Sequence, residues 1–182
     1  MKNTLNDNGK ILPGIIGAFL FSLVGGILWF VLYQIGYVAS ISGLIGVICA
    51  VKGYTFFAKT KNESTLCIVI SAVMTAIVLA LSWYFCVGYD IYLAYQDWFA
   101  AGEVDFTLTF FESVNSIPYF FEDKEILVAY LKDLGLGLLF AVLGVVYYLA
   151  AREKKQNKQA AAMAEAAKKE QEARDNFNND FE

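Results

Sequence analysis

Residues 65–87 read TLCIVISAVMTAIVLALSWYFCV, an uninterrupted run that contains no charged side chain. A helix of about 20 apolar residues crosses the hydrocarbon core of a bilayer, and this run is long enough to do so. Trp83 and Tyr84 near its end are aromatic residues of the kind that favour the membrane–water interface. The sequence therefore predicts a transmembrane helix at this position.

Three other apolar runs have a similar character, and together they predict four spans at about 11–35, 38–58, 65–87 and 134–151. Hydrophobic residues make up 58% of the chain, a load that a soluble domain of this length rarely buries. The first run is too long for the apolar part of a cleaved signal peptide, so it is expected to be retained. The predicted fold class is an all-α membrane protein, a four-transmembrane-helix bundle that occupies residues 11–151.

The charged residues predict how the chain is oriented. Residues 1–10 carry a net charge of +1 and residues 52–63 carry +2, whereas residues 90–133, the acidic segment, carry −7. Basic residues also dominate just after the fourth span, in 152–158. Because basic loops stay in the cytoplasm, both termini are expected inside and the acidic segment outside. The predicted location is the inner (cytoplasmic) membrane, with residues 1–10 and 152–182 cytoplasmic.

The acidic segment is predicted to contain a short amphipathic helix that lies on the outer interface. Thr109 and Glu112 have the spacing of a capping box, and Pro118 is expected to end the helix. One face then carries the residues of a candidate outer interaction surface, Phe106, Phe110, Val114 and Ile117. This helix could cap a cavity or dock a partner. The alternative is a spacer that stays outside because it is negatively charged.

The tail after residue 151 is rich in alanine, lysine, glutamate and glutamine. Glu165–Lys169 and Glu170–Arg174 are pairs of opposite charge at i,i+4 spacing, which supports a helix. We expect the fourth helix to continue as a solvated cytoplasmic helix to about Asp175. Residues 176–182 are predicted to be disordered.

Small residues recur at every third or fourth position of the predicted spans, where they let helix backbones approach closely. Packing within one compact bundle is favoured over a seam between copies, because every span carries such a row. The first two spans are expected to pack as an antiparallel pair. The predicted helix-packing residues are Gly14, Ala18, Ser22, Gly26, Gly43, Gly46, Gly137 and Gly144.

The residues that most enzymes rely on are absent or unfavourably placed. The chain has no histidine, and its three cysteines, Cys49, Cys67 and Cys86, lie inside apolar runs without metal-binding spacing. No nucleotide loop or metalloprotease motif is present. We therefore predict no catalytic residue, no cofactor and no metal site. The net charge of −4 argues against nucleic acid as a partner.

Glycines recur in several short stretches, which are Pro13-Gly14-Ile-Ile-Gly17-Ala18, Gly25-Gly26-Ile-Leu-Trp29, Gly36-Tyr37, Lys52-Gly53-Tyr54 and Lys132-Asp133-Leu-Gly-Leu-Gly-Leu-Leu. Together they resemble a family of uncharacterised four-span bacterial membrane proteins. The resemblance covers about residues 11–150 and implies a bacterial inner-membrane setting, without an activity or site residues.

These observations predict a non-enzymatic accessory or scaffold protein that binds a partner through the acidic segment or the tail. The expected partners are the lipid bilayer and either another protein or a second copy of the chain. The alternative is a subunit of a small oligomeric transporter or channel, since four helices rarely enclose a pore alone. A membrane enzyme is the third hypothesis.

Overall fold

The computed structural model describes residues 8–35, 40–60 and 64–179, and side chains within residues 11–171 of these ranges. It contains helices and no strands in the described ranges. The chain divides into two compact units, Met1–Val145 and Val146–Glu182. The helices are α1 (Asn8–Gln34), α2 (Ile41–Ala58), α3 (Thr65–Ala100), α4 (Phe110–Phe120) and α5 (Lys124–Asn179).

Among the described residues, four helices contain stretches that are long and apolar enough to cross a membrane, which is consistent with a multi-pass membrane protein. This confirms the predicted all-α class and the number of candidate spans. The expected connection between the first two spans lies partly outside the described residues, because residues 36–39 are not described. The stretches are Ile11–Gln34, Ile41–Ala58, Thr65–Ala100 and Lys124–Gln171.

Helices α1 and α2 pack as the predicted antiparallel pair. Gly14, in the first half of α1, contacts the ring of Tyr54 near the end of α2. Gly25, in the second half of α1, contacts Gly46 in the first half of α2, so the two helices run in opposite directions. A methyl group added to Gly25 would lie 2.7 Å from the Cα atom of Gly46. This spacing is too short for any side chain, so the two backbones meet because both residues are glycine.

The predicted helix-packing residues are buried, and they face other helices of the first unit. Gly26 and Gly46 of the α1–α2 pair meet α3, and Gly43 of α2 meets the Gly137 carbonyl of α5. Gly144 lies against Val47. These small residues therefore take part in close packing between helices of the same chain. The buried set is Gly14, Ala18, Ser22, Gly26, Gly43, Gly46, Gly137 and Gly144.

Helix α3 is longer than the span predicted at 65–87. It continues to Ala100, so residues 90–100 of the acidic segment are helical. Polar residues such as Asp90 and Asp97 end an apolar run, but they do not end a helix when its backbone hydrogen bonds continue. The helix stops just before Gly102, which has a φ of 73° that favours glycine.

Helix α4 begins where the sequence placed its cap. The Thr109 side chain accepts from the backbone N–H of Glu112, and the Glu112 carboxylate accepts from the Thr109 N–H. The predicted capping box is therefore confirmed. Pro118 was expected to end the helix, but α4 includes it and continues to Phe120. The helix continues past Pro118 for two residues because the fixed φ angle of proline is itself compatible with a helix.

The second unit, Val146–Glu182, contains the remainder of α5. The helix ends at Asn179, so residues 176–179 are helical rather than disordered, while 180–182 lie outside the described residues. The predicted pair is confirmed at Glu165–Lys169, with 2.8 Å between the Lys169 Nζ and a glutamate oxygen. The predicted Glu170–Arg174 pair involves a side chain outside the described ones.

Two glycines of α5 test the close packing as a matched pair. Gly137 lies against the fully buried ring of Trp29, whereas a methyl group at Gly135 would meet nothing within 4 Å. Gly137→Ala should destabilise the protein by about 1–3 kcal/mol through overpacking. Gly135→Ala should be neutral or stabilise by up to about 1 kcal/mol, since alanine favours helix.

Thermal unfolding in mild detergent measures both variants against the parent protein. Equal midpoints for the two variants would contradict the described contact between α1 and α5.

Candidate functional site

A polar cluster joins three helices of the first unit at Asp90 of α3. The Tyr33 hydroxyl of α1 donates a hydrogen bond to Asp90 Oδ2 at 2.6 Å. The Tyr130 hydroxyl of α5 donates to the same oxygen at 2.9 Å. These residues are far apart in the sequence, so the cluster exists only in the folded chain.

The Asp90 carboxylate is half-buried, and its described partners are neutral hydroxyl groups. None of the lysine or arginine side chains that the structure describes forms an ion pair with it. Burying a charged carboxylate on a helix that is long and apolar enough to span a membrane is costly, so such a group is a candidate for a functional site. Chemically, the cluster can attract a positively charged group, or hold three helices in register.

Aromatic residues hold the Tyr130 side of this cluster in place. The Trp83 indole N–H donates to the Tyr130 backbone carbonyl at 2.9 Å. The ring of Phe121 stacks on Trp83 with a centroid distance of 5.8 Å, and it also contacts the Tyr130 ring. The start of α5 is thereby fixed against α3 close to Asp90.

One buried donor near the cluster lacks a hydrogen-bond partner within the described part of the chain. This donor is the indole N–H of Trp29, which lies one turn before Tyr33 on α1. A buried unsatisfied donor costs about 1–3 kcal/mol. Its ring is fully buried against Gly137, so packing holds it there at that cost.

Helix α4 packs along α3 beside this cluster. Val114 lies against Gly88, where an added methyl group would be 2.5 Å from a Val114 methyl carbon. The Tyr84 hydroxyl donates to the Val114 carbonyl at 3.4 Å, and the Phe110 ring stacks on Phe85. The short helix is therefore a fixed part of the first unit.

The structure places most of the predicted interaction surface against α3. Ile117 is 1% exposed, and Phe110 and Val114 are half-buried. Phe106 lies before α4, is 55% exposed and contacts the Tyr95 ring. Three of the four residues therefore pack α4 onto α3, while Phe106 remains largely open.

The opposite face of α4 carries aromatic residues that sequence reasoning missed. Phe111 is 75% exposed and Tyr119 is 74% exposed, with the exposed Asn115 between them. We call these three residues the α4 stripe. Their spacing of four residues places them on one helix face and was the available signal. The face with Phe110, Val114 and Ile117 has a more regular apolar pattern, and the predicted interaction surface was therefore assigned to that face.

The α4 stripe is bordered by a negative charge that the capping box stabilises. The Thr109 backbone N–H donates to Glu112 Oε2 at 2.8 Å, and the Thr109 hydroxyl donates at 2.7 Å. The backbone bond first, and then the hydroxyl bond, hold the pKa of Glu112 below its usual value. Glu112 therefore keeps its charge at neutral and mildly acidic pH.

The described residues contain no group of three or more histidine, cysteine, aspartate or glutamate side chains that could hold a metal ion. The expectation that the protein uses no metal, cofactor or catalytic residue stays a prediction.

In the ranges that the structure describes, the chain is thus all-α, and four of its helices are long and apolar enough to span a membrane. Comparisons with protein-family models, curated proteins and solved structures found no match.

Proposed function

We propose that this chain is a non-enzymatic accessory or scaffold protein of a membrane, which binds a protein partner through the α4 stripe. The observation that supports this proposal is the exposure of Phe111 and Tyr119 on a helix whose other face is buried. Aromatic residues are enriched among those that dominate binding energy at protein interfaces.

The rigidity of α4 favours binding. Ser113 and Ile117 on the buried face fix the helix in place, and the capping box satisfies backbone N–H groups in its first turn. The backbone of α4 is therefore already ordered before a partner binds, which lowers the entropic cost of association. A spacer that stays outside because it is negatively charged, the other interpretation of the acidic segment, would not need such anchoring.

Charge indicates what kind of partner fits. The acidic segment, which contains α4, has a net charge of −7, and several of its carboxylates are exposed. A partner with an apolar pocket and a basic rim would be complementary, and its association rate would fall with added salt. The exposed carboxylates nearest in sequence to the stripe are Asp105, Glu112, Glu122, Asp123 and Glu125.

The proposed setting is a bacterial inner membrane with both termini in the cytoplasm. The basic residues of 1–10, 52–63 and 152–158 support this orientation. The α4 stripe would then face the extracytoplasmic side and meet partners there.

Replacing both aromatic residues of the stripe tests the proposed function. The double variant Phe111→Ser, Tyr119→Ser should lose a stoichiometric protein partner, because both anchors are removed from an exposed surface. Phe56→Ser is the matched control, since Phe56 of α2 is 74% exposed on another helix. Native mass measurement after purification in mild detergent reports the bound partner.

A parent protein that purifies as a strict monomer without a bound protein would contradict the proposal. Retention of the partner by the double variant would contradict the role of the α4 stripe. Ion or solute flux in liposomes above background would instead favour the alternative function, a transporter or channel subunit.

Cysteine labelling tests the orientation. Asn115→Cys on α4 should react with a membrane-impermeant thiol reagent added to intact cells, whereas Ala161→Cys in the tail should react only after permeabilisation. Both positions are exposed. The native Cys67 and Cys86 are buried, and the partly buried Cys49 is replaced by alanine in both variants so that it gives no background. The reverse labelling pattern would overturn the orientation.

A further inference from the structure

Three lysines of the tail lie on one exposed side of α5, directly after the apolar run of the fourth span ends at Ala151. Successive residues of a helix are about 100° apart around its axis, so Lys154, Lys155 and Lys158 fall within an arc of about 100°. Glu153, the nearest acid in the sequence, lies about 100° outside this arc. We call the three lysines the basic face.

The same side of α5 is open in the last turns before the basic face. Tyr147 precedes Lys154 by seven residues, which is two turns, and Ala151 precedes Lys155 by one turn. Tyr147 is 62% exposed, and Ala151 is also exposed. Exposed apolar and aromatic side chains at the end of a helix able to span a membrane suit the boundary between hydrocarbon and headgroups. The basic face therefore begins where this boundary ends.

The lysines of the basic face have no partner of opposite charge on their own helix. The positions three and four residues before and after each of them carry no acid. Lys154 and Lys158 are instead four residues apart, a like-charge spacing that destabilises a helix. Among the side chains that the structure describes, none of the three forms an ion pair, whereas Lys169 pairs with Glu165 at 2.8 Å. The charge of the basic face is thus left for a partner outside the chain.

The other acids of the tail are too far along α5 to neutralise the basic face. Residues 152–158 contain four bases and one acid, whereas 159–182 contain three bases and six acids. Glu165 is the first of these later acids, and it follows Lys158 by seven residues, about 10 Å along the helix. Exposed charges this far apart are largely screened at physiological ionic strength, where the Debye length is about 8 Å.

The height of the basic face along α5 indicates which negatively charged partner it meets. Its lysines follow Ala151 by about 5–10 Å along the helix axis. The headgroup layer extends about 5–8 Å beyond the hydrocarbon on each side of a bilayer, and a lysine side chain is long enough to reach back into it. A second copy inserted in the same direction would bring its own lysines to this height, and like charges would repel. Anionic lipid headgroups supply the opposite charge at this height.

From this placement we propose that the basic face binds the phosphate-bearing headgroups of anionic phospholipids, in the leaflet where the fourth span ends. Positive charge on either side of α5 would serve to orient the chain, whereas the arrangement on one exposed side assigns a binding surface. The site is separate from the α4 stripe, and it is the same whichever way the chain is inserted.

The first test uses the unaltered protein. Delipidated protein in mild detergent receives phosphatidylglycerol or phosphatidylcholine with identical acyl chains, and native mass spectrometry measures the bound lipid. Phosphatidylglycerol should bind several-fold more tightly at low salt, and added salt should reduce the difference. Equal binding of the two lipids at low salt would overturn the proposal. Soluble glycerol 3-phosphate should not displace the lipid, and full displacement by it would reveal a free-phosphate site instead.

A matched pair of double variants locates the site. Lys154→Gln with Lys158→Gln should weaken the binding of phosphatidylglycerol about fivefold for each lysine removed. Lys168→Gln with Lys169→Gln changes the net charge equally, almost three turns further along α5, and should leave binding unchanged. Glutamine and lysine have similar helix propensities, so both variants keep the helix.

A charge-conserving variant completes this comparison. Lys154→Arg with Lys158→Arg should bind phosphatidylglycerol as the parent protein does, because the positive charge stays at the same height. Undiminished binding by Lys154→Gln with Lys158→Gln, or an equal loss in the variant at 168 and 169, would overturn the assignment to the basic face.

Discussion

The hydrogen bonds from Tyr33 and Tyr130 to Asp90 tie three helices together at one level. Between transmembrane helices, apolar side chains gain little by leaving lipid for one another, so close backbone packing and polar contacts determine the arrangement. The Asp90 cluster supplies the polar contact. The contacts of Gly25 with Gly46 and of Gly137 with Trp29 supply the close packing within the same unit.

The exposed surface of α4 depends on the same part of α3. Helix α3 offers α4 a surface at Phe85 and Gly88, just before Asp90, on which Phe110 and Val114 pack. Burying these residues leaves Phe111 and Tyr119 on the open side. The position of the proposed partner surface is therefore a consequence of which face of α4 packs on α3.

Local patterns predicted the four apolar helices, the capping box at Thr109 and the Glu165–Lys169 pair, because each of these needs only nearby residues. The end of α3 was missed since a change from apolar to polar residues marks a boundary of burial, which need not be a helix boundary. The contact between Tyr33 and Asp90 could not be predicted from periodicity. It joins residues 57 positions apart, and nothing in either local sequence identifies the other.

A double-mutant cycle measures the central interaction most directly. The free energy of unfolding in detergent is compared for Tyr33→Phe in the parent protein and in an Asp90→Ala background. Tyr33→Phe should cost about 1–3 kcal/mol in the parent, where the carboxylate loses a donor, and close to nothing once the carboxylate is absent. An equal cost in both backgrounds would show that Tyr33 does not act through Asp90.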